Sequence, residues 1–479
     1  MTHVAHDAVR YDRTGEARVV TRAPARERWS WALYDFANTI FSMNVATLYF
    51  AVWLVSDLGS SNTLYAVANA ATSALVVLAI PVLGAVSDAR RQRKRWVVGF
   101  TIMSCIACAA IGMFGQTTIP LFGEQVIGGA RPAGWLAGFA ELKWVLLAFV
   151  CANFAYQAAQ PFYNAMMPEL VPASEQGRLS GFGVALGYVG SIVGVVLVVP
   201  FFTGALPGDI KLSEPLLRFL RGIPFTESAG RVSTFVPTGL LFLLFTLPLI
   251  LFCRDHDPVR TARRIQWRAA FQRVLHTLKD ARRHPGALRF ILTSFIYQDA
   301  VGTVIGFMTL YAVKAMGFDK GSETTLFMVL TIPAVIGSYL YGRITDRIGP
   351  KRTLSITLAV WVVLLVAMIA APSKNAFWLV GLAVGLNFGG VVVAERPVLL
   401  SLIPDVEAGR YFSLMLLSAR AAAIAGPLVW GLTVDGLERP FGTAIAYRAA
   451  VATIAVMFAW SWWLLRKVPD RRPGTPAVS

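Results

Sequence analysis

Twelve long apolar stretches, separated by shorter polar segments, are the feature of this sequence that most restricts its fold. Each stretch is long enough to cross a hydrocarbon core of about 30 Å as an α-helix. Helices are favoured because a membrane interior offers no partner for open backbone groups, and the strict alternation of barrel strands is absent. The predicted spans are 29–55, 62–87, 96–116, 142–166, 178–203, 233–253, 288–313, 323–345, 353–371, 376–402, 411–434 and 444–465.

The composition agrees with a chain that lives in a membrane. Apolar residue types make up 56% of the 479 residues and charged types only 15%, whereas soluble domains carry about 25% charged residues. We therefore predict an all-α integral membrane protein with twelve transmembrane helices in two six-helix bundles. The predicted parts are an N-terminal tail 1–28, a first bundle 29–253, a linker 254–287, a second bundle 288–465 and a C-terminal tail 466–479.

The net charge of +17 has an uneven distribution across the predicted topology. With the N-terminus placed inside, the inside segments hold 32 Lys+Arg and 15 Asp+Glu, and the outside loops hold 11 and 10. This is the positive-inside bias of membrane proteins, so the charge reports orientation and not nucleic-acid binding. We expect both termini in the cytoplasm. Residues 1–28 are polar and the first apolar stretch is too long for a signal-peptide core, so we expect no cleavable signal.

The predicted linker contains an apolar stripe surrounded by arginines, which favours a basic amphipathic helix on the inner leaflet over an unstructured tether. The stripe consists of Trp267, Phe271, Val274 and Leu278.

Nothing in the sequence indicates an enzyme. It contains no H-E-x-x-H, no Walker-type phosphate loop and no nucleophile paired with a base, so we predict no cofactor and no bound metal. The four cysteines lie in apolar runs or at their edges, where we expect packing and not disulfides or a metal cage. A non-transporting receptor or enzyme remains a remote alternative.

Two motifs occur once in each half. PASEQGR at 172–178 is repeated as PDVEAGR at 404–410. GAVSD at 84–88 is repeated as GRITD at 342–346, and basic residues follow both copies of this second motif. An aspartate in such a short loop can pair with a basic residue or cap a helix N-terminus. We predict a conformational latch at these loops, with orientation signalling by the basic residues as the alternative. The predicted latch and gate residues are Gly84, Asp88, Arg178, Gly342, Asp346, Glu395, Arg396 and Arg410.

Polar side chains inside the predicted spans mark a candidate solute site, because ionisable groups at membrane depth usually face a cavity or a partner. Three are charged: Asp35 in the first span, Asp299 in the seventh and Arg420 in the eleventh. We expect them to line a polar cavity for solute and protons. The predicted set is Asp35, Asn38, Asn153, Gln157, Gln160, Asp299, Asn387 and Arg420.

Two interpretations of the charged residues stay open. In one, Arg420 binds a substrate carboxylate through forked hydrogen bonds, while Asp35 or Asp299 takes an ammonium group or a proton. In the other, Arg420 is permanently paired to one aspartate and holds helices together. The second aspartate is then left over, and it is our candidate for proton coupling. We also expect an ion pair between Glu395 and Arg396 near the inner gate.

The loop motifs resemble the signature of the major facilitator superfamily. The segments 31–38, 162–170 and 177–188 (WALYDFAN, FYNAMMPEL and GRLSGFGVALGY) resemble the vacuole-effluxer-like family, which includes the autophagy-related vacuolar amino-acid effluxers. The resemblance implies the major facilitator fold and basic residues at positions 396 and 420. Glu395 departs from the family pattern, where a small polar residue is usual.

These observations together predict a secondary active transporter that moves a small polar, amino-acid-like solute by proton-coupled alternating access. The alternative is a proton-coupled exporter of organic cations or drugs. We expect a monomer in the plasma membrane, the inner membrane of a bacterium, with the lipid bilayer, a small molecule and protons as its partners and no nucleic acid.

Overall fold

The described part of the chain folds almost entirely into helices. The computed structural model describes residues 8–11, 17–20, 22–58, 60, 62–90, 92–127, 139–206, 210–226, 230–255, 285–317, 323–404, 407–422 and 425–470. The predicted amphipathic linker helix and most of the C-terminal tail lie outside these residues. Two short antiparallel strands, β1 (Ala8–Tyr11) and β2 (Ala17–Val20), belong to the N-terminal tail.

The first bundle contains six long helices. Its helix α1 continues beyond Phe41 as π-helical turns over Ser42–Tyr49 and Trp53–Asp57, with a short α-helical piece, Phe50–Val52, between them. Such turns widen a helix and often occur at functional positions. The helices are α1 (Ala25–Phe41), α2 (Asn62–Arg90), α3 (Arg93–Ile127), α4 (Phe139–Leu170), α5 (Gln176–Val198) and α6 (Phe235–Phe252).

The second bundle repeats this order. The predicted span 411–434 is described as two pieces, α11a and α11b, because residues 423–424 lie outside the described residues. The helices are α7 (Pro285–Met316), α8 (Glu323–Ile348), α9 (Pro350–Ala370), α10 (Lys374–Leu402), α11a (Ala408–Ala422), α11b (Ala425–Phe441) and α12 (Thr443–Arg466).

Local sequence signals explain several helix ends. Ser373 caps α10, its side chain accepting a hydrogen bond from the N–H of Ala376 at 3.3 Å. Gly349 has φ +94°, which favours glycine, and Pro350 follows at the first position of α9. The short turn between α8 and α9 is therefore encoded by two adjacent residues.

Among the described residues, seven helical segments are long and apolar enough to cross a membrane by length and composition. Many large apolar side chains on the outer faces of the helices are exposed, such as Ile106, Leu251 and Leu432. Lipid tails would cover these groups, because no water-facing surface of a globular protein carries so many of them.

The two bundles meet through crossed helix pairs. Helix α5 of the first bundle packs on α8 and α10 of the second, and α2 packs on α11a. A Cβ atom at Gly181 would lie only 2.7 Å from the Cα atom of Gly342, so these glycines let α5 and α8 approach closely. We call the side of the molecule that carries the loops after α2 and α8 the latch side.

Candidate functional site

A buried ion pair joins the two bundles. Asp35 of α1 and Arg396 of α10 meet through two hydrogen bonds, from Nη1 to Oδ2 at 3.0 Å and from Nη2 to Oδ1 at 3.4 Å. Both residues are more than nine-tenths buried. A buried pair of this kind needs good geometry, since each charge loses its hydration.

Aromatic rings surround the guanidinium of Arg396. Its Cζ atom lies 5.8 Å from the ring centre of Trp31 and 5.6 Å from that of Tyr163. These two rings stack on each other with centroids 4.5 Å apart, and each side chain donates a hydrogen bond to the backbone carbonyl of the other residue. The rings therefore hold a fixed wall against which a cation is stabilised.

Arg420 faces a different set of partners. Its side chain on α11a is half-buried, its Nε atom has no hydrogen-bond partner, and it forms no ion pair with a carboxylate of the described residues. It lies in electrostatic range of the hydroxyl of Tyr156 on α4. Asn38 and Ser42 of the first helical segment also lie within hydrogen-bonding reach of this hydroxyl.

Asp299 of α7 contacts the backbone of α11b. Its Oδ2 atom accepts a hydrogen bond from the N–H of Gly426 at 2.7 Å. Its Oδ1 atom is buried and has no hydrogen-bond partner in the described part of the chain. Asp299 is 2% exposed and, among the described residues, it has no cationic partner.

Helix α4 contributes a row of amide side chains. Asn153 and Gln157 are buried, and Gln157 donates a hydrogen bond from Nε2 to Oδ1 of Asn153 at 3.1 Å. The Oε1 atom of Gln157 has no hydrogen-bond partner within the described ranges. Gln160 follows on the same face and is half-buried. This row lies on the helix that also carries Tyr156.

Two predicted residues have contacts within the second bundle instead. Asn387 donates to the carbonyl of Thr357 at 3.1 Å and accepts from the hydroxyl of Tyr341 at 2.5 Å, so its amide is already engaged. Glu395 accepts a hydrogen bond from Tyr297 at 3.0 Å. The expected Glu395–Arg396 ion pair is not formed, because neighbouring positions on a helix point in different directions and Arg396 turns toward Asp35.

The latch predicted after α8 has a defined geometry. The carboxylate of Asp346 accepts hydrogen bonds from the N–H groups of Gly177 and Arg178, at 2.8 and 3.1 Å, and from the side-chain Nε of Arg178 at 2.8 Å. Asp346 thus caps the start of α5 in the opposite bundle. It lies one residue beyond the predicted span 323–345. Burial raises the pKa of this carboxyl to about 6, although Arg178 and the backbone amides act in the opposite direction.

The equivalent contact after α2 is described in part. A Cβ atom at Gly84 would lie 3.0 Å from the Cα atom of Arg410, so α2 and α11a are in close contact there. Arg410 also pairs with Glu407 at 3.3 Å. The side chain of Asp88 lies outside the described residues.

Of the two interpretations of Arg420, the one in which it is permanently paired to an aspartate differs from the structure, where Arg396 pairs with Asp35. The pairing of Arg396 with Asp35 was not predicted. Tyr156 was not predicted, although it stands one residue before Gln157 in the polar row of α4. An alternation of tyrosine and amide residues inside an apolar span was the available signal.

The chain matches one family model and several known proteins over most of its length. The family model "Vacuole effluxer Atg22 like" matches residues 59–469. An uncharacterized MFS-type transporter, YxiO, of Bacillus subtilis (strain 168) is 26% identical over 450 residues, covering 92% of this chain and 94% of the relative. The multidrug resistance protein MdtG of Serratia proteamaculans (strain 568) is 24% identical over 343 residues, covering 70% and 74%.

The fold has matches among solved structures. The crystal structure of FucP, a major facilitator superfamily transporter in the outward conformation, superimposes with a TM-score of 0.64 at 16% identity. The match covers 93% of this chain and 98% of FucP. The predicted major facilitator fold is confirmed.

Proposed function

Because the chain belongs to the Atg22-like vacuole effluxer family, and is therefore a multi-pass membrane transporter and not an enzyme, we propose that it moves a small amino-acid-like solute by proton-coupled alternating access. The observation that carries this proposal is the half-buried guanidinium of Arg420, which has no carboxylate partner among the described residues. An ionisable group at membrane depth needs a partner or a wet cavity.

A solute carboxylate supplies the missing partner. A guanidinium binds a carboxylate through two parallel hydrogen bonds, which gives both affinity and orientation. The hydroxyl of Tyr156 lies in electrostatic range of Arg420, and the amide of Asn38 lies within hydrogen-bonding reach of that hydroxyl, so both groups offer further polar contacts. The unpartnered Oε1 of Gln157 on the same helix as Tyr156 is a third group that a polar solute can satisfy.

Asp299 is the carboxyl that we assign to the proton or to a solute ammonium group. Asp35 is already balanced by Arg396, whereas Asp299 has one oxygen on the N–H of Gly426 and one without a partner. Burial disfavours an uncompensated carboxylate, so the group gains by binding a proton or a cation.

The ion pair between Asp35 and Arg396 and the latch between Arg178 and Asp346 each connect the two bundles. Alternating access requires one side to open while the other closes, so we assign these two contacts to the closed latch side. Solute binding between the bundles then has to favour their separation.

Transport in proteoliposomes tests the role of Arg420. We expect Arg420→Gln to reduce uptake of a labelled amino acid at least about tenfold, because a charge-assisted forked contact is lost. Arg420→Lys keeps the charge but loses the forked geometry, so its uptake should lie between that of the unsubstituted chain and that of Arg420→Gln. Arg231→Gln, at the partly exposed pair with Asp57, is the matched control and should transport normally. Normal uptake by Arg420→Gln would exclude this site.

The proton is tested separately. Asp299→Asn should abolish solute accumulation driven by a pH gradient. Solute exchange at equal pH on both sides of the membrane should be unchanged in this variant. Unchanged gradient-driven accumulation would remove Asp299 from proton coupling and leave the solute proposal intact.

A second candidate function is export of organic cations or drugs, supported by the similarity to the multidrug resistance protein MdtG. Asp299 would then bind the cation. Competition experiments separate the two candidates: inhibition of flux by amino acids supports the first, and inhibition by lipophilic cations alone supports the second.

For location, we propose the plasma membrane of a bacterium, with a monomeric transporter and cytoplasmic termini. The similarity to a Bacillus subtilis relative and the positive-inside charge pattern support this assignment.

A further inference from the structure

A cleft of about 400 Å³ opens on the latch side between the two bundles. The first bundle supplies Arg28, Trp29 and Phe182, and the second supplies Tyr339 and Arg343. The cleft lies where helices α1, α5 and α8 leave the predicted membrane spans, beside the Arg178–Asp346 latch. It is separate from the polar groups around Arg420.

The cleft has positive charge that its own acids do not neutralise. Its two acidic neighbours are already used, since Glu175 pairs with Arg22 at 3.0 Å and Asp346 pairs with Arg178. Arg343 instead donates to the hydroxyl of Tyr339 at 2.7 Å and lies over the ring of that residue.

Arg28 is the second arginine that an anion can reach. Its Nε atom is buried and, among the residues that the structure describes, has no hydrogen-bond partner. Its guanidinium lies close enough to Arg22 for the two charges to repel each other, and Glu175, which pairs with Arg22, attracts it. An anion on the accessible side of this half-buried guanidinium would reduce the repulsion.

The same cleft has an apolar wall. Trp29 is 59% exposed and packs edge-on against Phe182 with ring centroids 4.4 Å apart. Tyr339 is also exposed, on the facing helix. Exposed aromatic rings at the level of a membrane interface are typical of contact with lipid headgroups and upper acyl chains.

We propose that this cleft is a binding site for an anionic phospholipid of the inner leaflet, whose phosphate lies between Arg28 and Arg343 and whose acyl chain follows Trp29 and Phe182. Charge complementarity and the apolar wall together select a lipid over a free anion, because a free anion leaves the aromatic rings in water.

The lipid would also regulate conformation. Since each bundle provides one of the two arginines, the site exists only while the bundles are packed on the latch side. A ligand that binds one conformation better than another shifts the population toward it. Anionic lipid therefore stabilises the latch-closed state and opposes opening on that side.

Native mass spectrometry and thermal unfolding of the purified full chain test this proposal. The chain is titrated with phosphatidylglycerol or phosphatidylcholine vesicles at equal lipid concentration. We expect phosphatidylglycerol to be retained preferentially and to raise the unfolding midpoint. Arg28→Gln and Arg343→Gln should each weaken retention about fivefold. Arg95→Gln, an exposed arginine at the start of α3, is the matched control and should retain the lipid normally.

Three outcomes would overturn the proposal. Equal retention of the two lipids excludes selection by charge, and an equal midpoint shift with inorganic phosphate shows a free-anion site. Unchanged phosphatidylglycerol retention by the Arg28→Gln/Arg343→Gln variant excludes this cleft. If a variant is poorly folded, competition between the two lipids on the unsubstituted chain still measures the charge preference.

Discussion

At the scale of single residues, the ion pair between Asp35 and Arg396 shows how a buried charge is tolerated. The carboxylate takes two hydrogen bonds from the guanidinium, and the rings of Trp31 and Tyr163 stand at the cation's side. Removing one member leaves the other charge buried without a counterion. This lowers the free energy of unfolding much more than removing both members does.

We therefore expect Asp35→Asn to lower stability by about 3–5 kcal/mol, because Arg396 remains buried without its partner. Thermal unfolding in detergent measures this as a lower midpoint. The Asp35→Asn/Arg396→Gln variant should recover most of the loss. As a control, Arg231→Gln breaks a partly exposed pair and should cost under about 1 kcal/mol. A double variant no more stable than Asp35→Asn would contradict this account.

The titration of Asp346 gives a pH prediction. Its carboxyl has a pKa of about 6 when buried in the latch, whereas an exposed aspartate has a pKa of about 3.9. The closed latch therefore binds a proton more tightly than the open one. The contribution of this proton to the stability of the closed latch is fully present below about pH 4 and is lost as the pH rises through about 6.

Lowering the pH from about 7 to about 5 should thus increase the latch-closed population. Spin labels at the exposed positions Arg95 and Arg347, one in each bundle, report the separation of the latch side by pulsed dipolar spectroscopy. Asp346→Asn imitates the protonated form and should remove the pH dependence. The same pH dependence in that variant would assign it to another group.

At the scale of helices, the close approach of α5 and α8 depends on glycine. The Cβ atom of any other residue at 181 would meet the carbonyl oxygen of Ser338 at 2.6 Å and the Cα atom of Gly342 at 2.7 Å. Both contacts are with backbone or Cα atoms, which cannot rotate away. The helix pair can therefore accept a larger residue only by separating.

Gly181→Val should weaken closure of the latch side by about 1–3 kcal/mol, the usual cost of overpacking. The spin-label distance between 95 and 347 should lengthen, and transport should slow. Gly99→Val is the control, since a Cβ atom at that position has no neighbour within 4 Å. If both variants give the distance of the unsubstituted chain, the glycine contact does not set the closed packing.

At the scale of the whole molecule, the excess of basic residues belongs to one side of the bilayer in the predicted topology. The loops after α2 and α8 carry much of this excess, and they lie on the latch side. Because basic segments are retained in the cytoplasm during insertion, the latch side should face the cytoplasm.

Labelling of intact cells with a membrane-impermeant thiol reagent checks this orientation. A cysteine at Lys211, exposed in the short strand Ile210–Lys211 between α5 and α6, should react from outside. A cysteine at Arg95 should react only after the cells are permeabilised. The four native cysteines are buried or partly buried, so their background is low. Reaction of Arg95→Cys in intact cells would reverse the predicted topology.

The sequence by itself determined the class of fold, because a chain in lipid must form either helices or a closed barrel, and the apolar stretches lack the alternation of barrel strands. It also predicted Asp346 as a candidate latch residue, because Gly342 and Asp346 form a short local motif. The structure places the carboxylate of Asp346 on the start of α5. Only the tertiary structure decided which distant charges meet. Asp35 and Arg396 are 361 positions apart, and Asp299 accepts a hydrogen bond from the N–H of Gly426, 127 positions away. Such pairings follow from how two bundles pack and how a side chain turns on its helix, which spacing along one chain does not encode.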